Sequence, residues 1–132
     1  MTATAETTNT WDDLGQVAFR AQDIDRAVRF YRDVLGMPFL FQAPPGLAFF
    51  RCGIVTLMLS RPESPEFDHP GSVLYFRVPD LDAAYRRLSE RGVAFDGPPH
   101  AVHREPGREL RMAFFKDSEG NTLALMAWVA GP

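Results

Sequence analysis

The chain has 132 residues, of which 45% are hydrophobic and 23% charged, enough apolar material for one compact domain with its own core. Its formal net charge is −3, and every basic residue except Lys116 is an arginine, spread along the chain instead of gathered in a run. This distribution argues against a nucleic-acid or anionic-membrane partner.

The N-terminal residues 1–12 are polar and lack the basic region and apolar stretch of a secretion signal. No apolar run approaches the length of a membrane-spanning helix. We therefore expect a flexible tail at 1–12, one domain at 13–132, and a cytoplasmic protein that does not bind membranes. The single cysteine, Cys52, excludes an internal disulfide and a cysteine-based zinc site, and its apolar neighbours predict a small core residue.

Two strand–helix segments that lie 57 positions apart read nearly alike. Residues 17–28 are VAFRAQDIDRAV, and residues 74–85 are LYFRVPDLDAAY. Asp23 and Asp80 stand where an N-cap carboxylate would accept the free N–H groups of a first helical turn. Apolar residues then recur at helical spacing, so each copy predicts a strand that leads into a helix.

Three further strands are predicted after each helix. They are residues 36–41, 47–52 and 54–60 in the first copy, and 92–95, 111–116 and 121–127 in the second. Residues 61–72 between the copies are polar and Pro-rich, which predicts a linker. The chain thus predicts an α+β fold of two βαβββ halves, 14–60 and 73–128.

Three motifs resemble the vicinal oxygen chelate superfamily, which contains glyoxalase I, bleomycin- and fosfomycin-resistance proteins and extradiol dioxygenases. They are the repeated FRxxD[IL]D, FYRDVLGMP at 30–38 and FFKDSEGNxLxL at 114–125. The resemblance runs from Gln16 to Met126 and implies the duplicated βαβββ fold, in which the two halves form a curled mixed sheet cup. It also implies a homodimer, in which each chain closes its own cup or the chains exchange halves. The superfamily includes both metalloenzymes and metal-free drug binders.

Metal-using members of this superfamily carry His, Gln or Glu ligands on the first and last strand of each half. By motif, the corresponding positions here are Gln16, Met58, Val73 and Ala124. Only the first of these offers an oxygen or nitrogen donor, and one neutral amide does not hold a divalent cation. The resemblance therefore implies that the usual metal centre is absent, and we expect no cofactor. A divalent metal in an unconventional site is the alternative.

The alternation of side chains along the predicted strands selects those that would face the cup. The predicted ligand-binding residues are Gln16, Arg20, Thr56, Met58, Tyr75, Arg77, Thr122 and Met126. An apolar floor with a few hydroxyl, amide and guanidinium donors suits a moderately apolar organic ligand. Two structural interpretations stay open, in which the arginines pair with helix-start carboxylates and the other side chains simply fill the cup.

The predicted function is metal-independent binding of a small, moderately apolar organic molecule. Cationic bleomycin is not the expected ligand, because the cup carries arginines and no inward carboxylate. The alternative is a glyoxalase- or dioxygenase-type enzyme, a lyase or oxidoreductase, that uses an unconventional metal site or metal-free acid–base chemistry. Its candidate catalytic residues are Tyr75 and His100; His103 is expected on the opposite strand face from His100. A structural or regulatory dimer without ligand is a third possibility.

Overall fold

The computed structural model describes Trp11 and residues 14–131, so the rest of the predicted N-terminal tail lies outside the described residues. The elements are β1 (Gln16–Arg20), α1 (Ile24–Arg29), β2 (Phe39–Ala43), β3 (Leu47–Cys52), β4 (Val55–Ser60), β5 (Leu74–Arg77), α2 (Leu81–Glu90), β6 (His100–Glu105), β7 (Arg108–Lys116) and β8 (Thr122–Ala130). A π-helical turn, Phe30–Val34, continues α1, and a 3-10 turn, Pro65–Phe67, lies in the linker. None of the described helices is long and apolar enough to cross a membrane.

The strands form two four-stranded mixed sheets in the orders β1-β4-β3-β2 and β5-β8-β7-β6. In each half the first strand lies parallel to the last, and the remaining neighbours are antiparallel. Helix α1 packs on β3 and β4, and α2 packs on β7 and β8. The predicted α+β architecture of two βαβββ halves is confirmed.

Each helix begins at the predicted aspartate. The Asp23 carboxylate accepts the N–H of Arg26 at 3.0 Å, and the Asp80 carboxylate accepts the N–H of Ala83 at 3.0 Å. Both N-caps have extended backbone, which turns the chain from strand into helix. The N-cap prediction is therefore confirmed in both halves.

Alternate side chains of each sheet point towards its helix and away from it. Those that point towards the helix form the core, including the fully buried Phe50, Leu57, Leu59, Phe115 and Leu123. Each sheet also has a surface that points away from its helix. We call this surface the first open face in the first half and the second open face in the second half. The first carries Ala18, Arg20, Thr56, Met58 and Ser60, and the second carries Tyr75, Arg77, Met112, Phe114, Met126 and Trp128.

The predicted strand at 92–95 is wrong. Within it only Phe95 forms a bridge, an isolated one with Phe115, and the edge strand is instead β6. Val93 is buried and Phe95 packs its ring on the core, so this segment contributes side chains rather than a hydrogen-bonded ladder. Two prolines without an N–H group follow, and ladder pairing starts only beyond them.

Two smaller predictions in the first half also need correction. The second strand begins at Phe39 and not at the preceding glycine. Cys52 is half-buried at the end of β3 and lies outside the core, and burial raises the pKa of its thiol. A thiol that stays protonated at neutral pH is a poor nucleophile.

The two halves are joined by the turn between β7 and β8, residues Asp117–Asn121, which we call the clasp. Asp117 and Asn121 are 6% and 1% exposed. The Asp117 carboxylate accepts the Tyr31 hydroxyl at 2.7 Å and the N–H groups of Glu119 and Asn121, both at 2.8 Å. The Asn121 side chain donates to the carbonyl of Arg20 at 2.9 Å. The clasp therefore holds the end of β1 and the helix that follows it.

Glu119 supplies the ionic part of the clasp. Its carboxylate accepts two bonds from the Arg26 guanidinium, at 2.7 and 3.0 Å, and the N–H of Asp23 at 3.1 Å. Burial opposes ionisation of Glu119, but these bonds and one from the Ser118 hydroxyl outweigh it and lower its pKa to about 2. The carboxylate is therefore charged at neutral pH, although its side chain is fully buried.

Candidate ligand-binding site

A cavity of about 400 Å³ lies on the first open face, between the sheet and the linker. Its floor comes from β1 and β4, where Ala18 pairs with Met58 and Arg20 pairs with Ser60. Its wall comes from linker residues, namely Arg61, Pro62, Glu63, Phe67, His69 and Gly71. The volume and the mixture of a thioether, an aromatic ring, a hydroxyl and a guanidinium group fit a small organic molecule.

Arg20 is the charged group at the floor of this cavity, and its partner is in the linker. Its Nη1 atom lies 2.7 Å from Oδ1 of Asp68, with side-chain exposures of 19% and 31%. The second oxygen of Asp68 accepts from the side-chain amide of Gln22. The interpretation that Arg20 pairs with a helix-start carboxylate, Asp23 or Asp25, is therefore wrong, because the linker folds back over β1.

The other predicted residues of the first half lie on the same open face but outside the cavity lining. Gln16 is exposed at the start of β1 and donates a hydrogen bond to the sulfur of Met58 at 3.8 Å. Thr56 is half-buried beside it and accepts from Arg51 at 3.4 Å. Of the predicted ligand-binding residues in this half, Arg20 and Met58 line the cavity.

The four predicted residues of the second half lie on the second open face and do not line the cavity. Tyr75 is 49% exposed, and Arg77 is exposed with no ion-pair partner among the described residues. Thr122 accepts a hydrogen bond from Lys116 at 2.9 Å. Met126 is half-buried and pairs with Arg77. The structure therefore divides the predicted set between two separate surfaces.

Ala124, where a metal-using relative would carry a carboxylate, is fully buried. It lies between Tyr75 on β5 and Phe114 on β7. The rings of these two residues meet edge to face, and their centroids are 6.0 Å apart. An aromatic pair therefore covers the alanine methyl group. Within residues 14–131, no three His, Cys, Asp or Glu side chains are placed to hold a metal ion. With Met58 and Val73 at two of the other positions, the residues present do not fit the usual metal of the superfamily.

His100 and His103 share the second open face, contrary to expectation. A register shift between Ala101 and His103 adds a residue to β6, so His100 pairs with Met112 and His103 with Leu110, which lie on one face of β7. The ring of His100 lies 6.4 Å from that of Phe114, and the ring of His103 lies 6.0 Å from that of Trp128. The expectation of opposite faces assumed a regular strand, which the bulge interrupts.

Sequence reasoning missed the linker as part of the site. Its polar, Pro-rich composition predicts a connection and hides the residues that cover β1. One signal was available, since Phe67 is the only aromatic residue of the segment and is 58% exposed beside the cavity. A large apolar side chain within a polar linker indicates that the segment contacts another surface of the protein or a ligand.

The chain is similar to a known protein family and to solved structures. The family described as Glyoxalase/Bleomycin resistance protein/Dioxygenase superfamily matches residues 13–125. Lactoylglutathione lyase from Agrobacterium tumefaciens is 24% identical, with a TM-score of 0.72 over 90% of this chain and 96% of that one. A glyoxalase/bleomycin resistance protein/dioxygenase from Nocardioides is 23% identical, with a TM-score of 0.73 over 98% and 92%.

A third similar structure has an antibiotic-related description. TnmS3, an antibiotic binding protein from Streptomyces sp. CB03234, is 28% identical, with a TM-score of 0.71 over 91% of this chain and 98% of that one. No curated protein sequence matches the chain. In all three structures the likeness extends over nearly the whole length of both chains.

Proposed function

Because this chain belongs to the glyoxalase/bleomycin resistance protein/dioxygenase superfamily, we propose that it binds a small, moderately apolar organic molecule without the help of a metal. The binding place is the cavity between the first open face and the linker. The observation that carries the proposal is this cavity of about 400 Å³, which has a partly apolar floor, a hydroxyl group and the guanidinium groups of Arg20 and Arg61. Three of the four positions that hold the metal in relatives are Met58, Val73 and Ala124, which have no oxygen or nitrogen donor in their side chains. This chemistry supports binding without a metal.

The likeness to TnmS3 supports a binding protein over an enzyme. That protein is described as antibiotic binding, and its 28% identity extends over 91% of this chain. We infer from this, and from the partly apolar lining of the cavity, that the ligand of the present chain is an antibiotic-like organic compound of moderately apolar character. A protein of this kind acts by holding the compound, so it needs no catalytic group.

The proposal predicts that organic compounds, and not metals, stabilise the protein. Thermal unfolding with a panel of aromatic natural products should show at least one rise in midpoint, because a ligand that binds only the folded state stabilises it. Mn, Fe(II), Co, Ni and Zn salts should produce no rise, and tag-free protein should contain no stoichiometric metal by plasma mass spectrometry. Ala18→Trp, which fills the cavity, should abolish the compound effect, whereas Ala130→Trp at the exposed end of β8 should keep it. Stoichiometric metal would contradict the proposal.

The enzymatic alternative has one observation in its favour, the placement of His100 and His103 on the face that also carries Tyr75. A lyase or oxidoreductase would use such groups either to hold a metal in an unconventional site or for metal-free acid–base chemistry. A metal-induced rise in the unfolding midpoint that His100→Ala removes would make this alternative the leading one.

We also propose a cytoplasmic homodimer, in which a second copy covers the second open face. Tyr75 and Trp128 are 49% and 38% exposed there, and contiguous exposed aromatic surface is typical of an interface. Sedimentation velocity should give a dimer mass for the wild type and a monomer mass for Trp128→Glu. A monomeric wild type would contradict this part and leave the binding proposal intact.

A further inference from the structure

The Asp68 carboxylate lies beside the cavity, in a small anion site formed by Arg20, which lines the cavity floor, and by Gln22. One of its oxygens lies 2.7 Å from Arg20 Nη1, and the other accepts from the Gln22 amide. Two donors from the end of β1 therefore hold both oxygens of a single carboxylate. A guanidinium group with a second N–H donor beside it is a common receptor for a carboxylate or similar anionic group.

The group that fills this site belongs to a weakly attached segment. Among the described residues, the two bonds of Asp68 are the only side-chain hydrogen bonds from residues 62–72 to the rest of the chain. The 3-10 turn at Pro65–Phe67 is closed by bonds within the linker itself. Movement of residues 62–72 away from β1 would therefore break few hydrogen bonds beyond those of Asp68.

Asp68 also leaves part of the arginine unsatisfied. The Nε atom of Arg20 is buried and has no hydrogen-bond partner among the described residues. A buried guanidinium group needs an anion beside it, because removing its partner leaves an uncompensated charge. Asp68 supplies that charge through one contact and not through the two-point fork that a carboxylate forms with arginine at its best.

We propose that Asp68 is an internal stand-in for an anionic group of the ligand, which displaces it from Arg20 and Gln22 when the ligand enters the cavity. The inference rests on the proposed function and adds the ligand class, an apolar organic molecule with a carboxylate or comparable anion. On exchange, Arg20 keeps a counter-charge and Asp68 gains water. A neutral molecule of the same shape cannot displace Asp68 without leaving Arg20 unpaired, so the site selects against it.

Two probes of matched shape, 2-naphthoate and 2-naphthamide, test this by calorimetric titration. Asp68→Asn removes the competing charge and should bind 2-naphthoate about tenfold more tightly than the wild type, since charge-assisted bonds are the stronger ones. Its affinity for 2-naphthamide should change less than about twofold. Arg20→Gln should lose the preference for the carboxylate over the amide. Glu66→Gln, which removes a charge from the same segment without touching Arg20, should match the wild type for both probes.

The outcomes separate this inference from the proposed function. Naphthamide binding at least as tight as naphthoate binding, with no gain in Asp68→Asn, would overturn the inference and leave small-molecule binding standing. An equal gain in Glu66→Gln would also overturn it, because the effect would then be general electrostatics. No binding of either probe to the wild type or to Asp68→Asn would overturn both. Far-UV circular dichroism of each variant checks that the fold is retained, and the Asp68→Asn result stands even if Arg20→Gln does not fold.

Discussion

Ala124 shows how one residue changes the chemistry available to a common fold. Its neighbours across the sheet, Tyr75 and Phe114, close over it, so the position is part of an apolar layer and not a vacant ligand site. A carboxylate there would have to displace the two rings or remain buried without a partner. Burial of an unpaired carboxylate costs several kcal/mol, because the ion loses its water. Displacement of the rings would instead disrupt the apolar layer.

Restoring the ligand by mutation should therefore fail. We expect Ala124→Glu to lower the free energy of unfolding by about 3 kcal/mol or more, because the carboxylate is buried beneath aromatic rings. It should gain no metal affinity, since only Gln16 among the other three positions offers a hard donor. Urea unfolding and metal titration measure these effects. Ala130→Glu, at the exposed end of the same strand, should change stability by less than about 0.5 kcal/mol. A stable variant that binds metal would contradict our reading of the four positions.

At the scale of single elements, the sequence predicts regular features well and local irregularities poorly. Both N-caps follow from Asp23 and Asp80, because a side-chain carboxylate and free N–H groups meet within three residues. The bulge in β6 was not predictable in this way. Its extra residue lies between two histidines with no glycine to mark it, and only pairing with β7 determines which face each ring takes.

The clasp is a second element whose role the sequence conceals. Residues 117–121 read as a polar hairpin turn, and such turns usually lie in solvent. Here its two carboxylates are buried, and their partners, Tyr31 and Arg26, lie about 90 positions earlier in the chain. A local pattern holds no information about a partner that only the tertiary fold brings near.

The clasp also makes stability depend on acid. The pKa of Glu119 falls from an ordinary 4.5 to about 2 on folding. A lowered pKa contributes stability at pH values above 4.5, and that stability is lost as the pH falls towards 2. The shift corresponds to about 3 kcal/mol at neutral pH.

We expect Glu119→Gln to lose about 2–3 kcal/mol at pH 7, because an amide brings N–H groups against the donors of Arg26 and Asp23. The difference from the wild type should shrink between pH 4.5 and pH 2, where the wild type loses its own contribution. Urea unfolding at pH 7, 4.5 and 3 measures this, with the exposed Glu90→Gln as the matched control. A difference that is constant with pH would show that the ionic bond to Arg26 is not its source.

At the scale of the whole molecule, the sequence repeat predicts the architecture because both copies contain an amphipathic helix whose apolar side has to be buried. Each amphipathic helix needs a sheet to cover its apolar side, and three strands after it supply one. The repeat does not predict what happens between the copies. The linker wall of the cavity and the clasp have no counterpart in the other half, so the candidate site was only partly predictable, through Arg20 and Met58.

Among the described residues, the clasp forms hydrogen bonds with the first helix and not with its counterpart in the second half, although the two halves have similar sequences. The residues that it grips on the first helix, Arg26 and Tyr31, correspond in the repeat to Ala83 and Leu88 on the second. Docked on the wrong helix, Glu119 and Asp117 would be buried against a methyl group and an isobutyl group, with no donor for either charge. The clasp therefore stabilises contact with the first helix and disfavours contact with the second. It thereby selects one arrangement of the two similar halves.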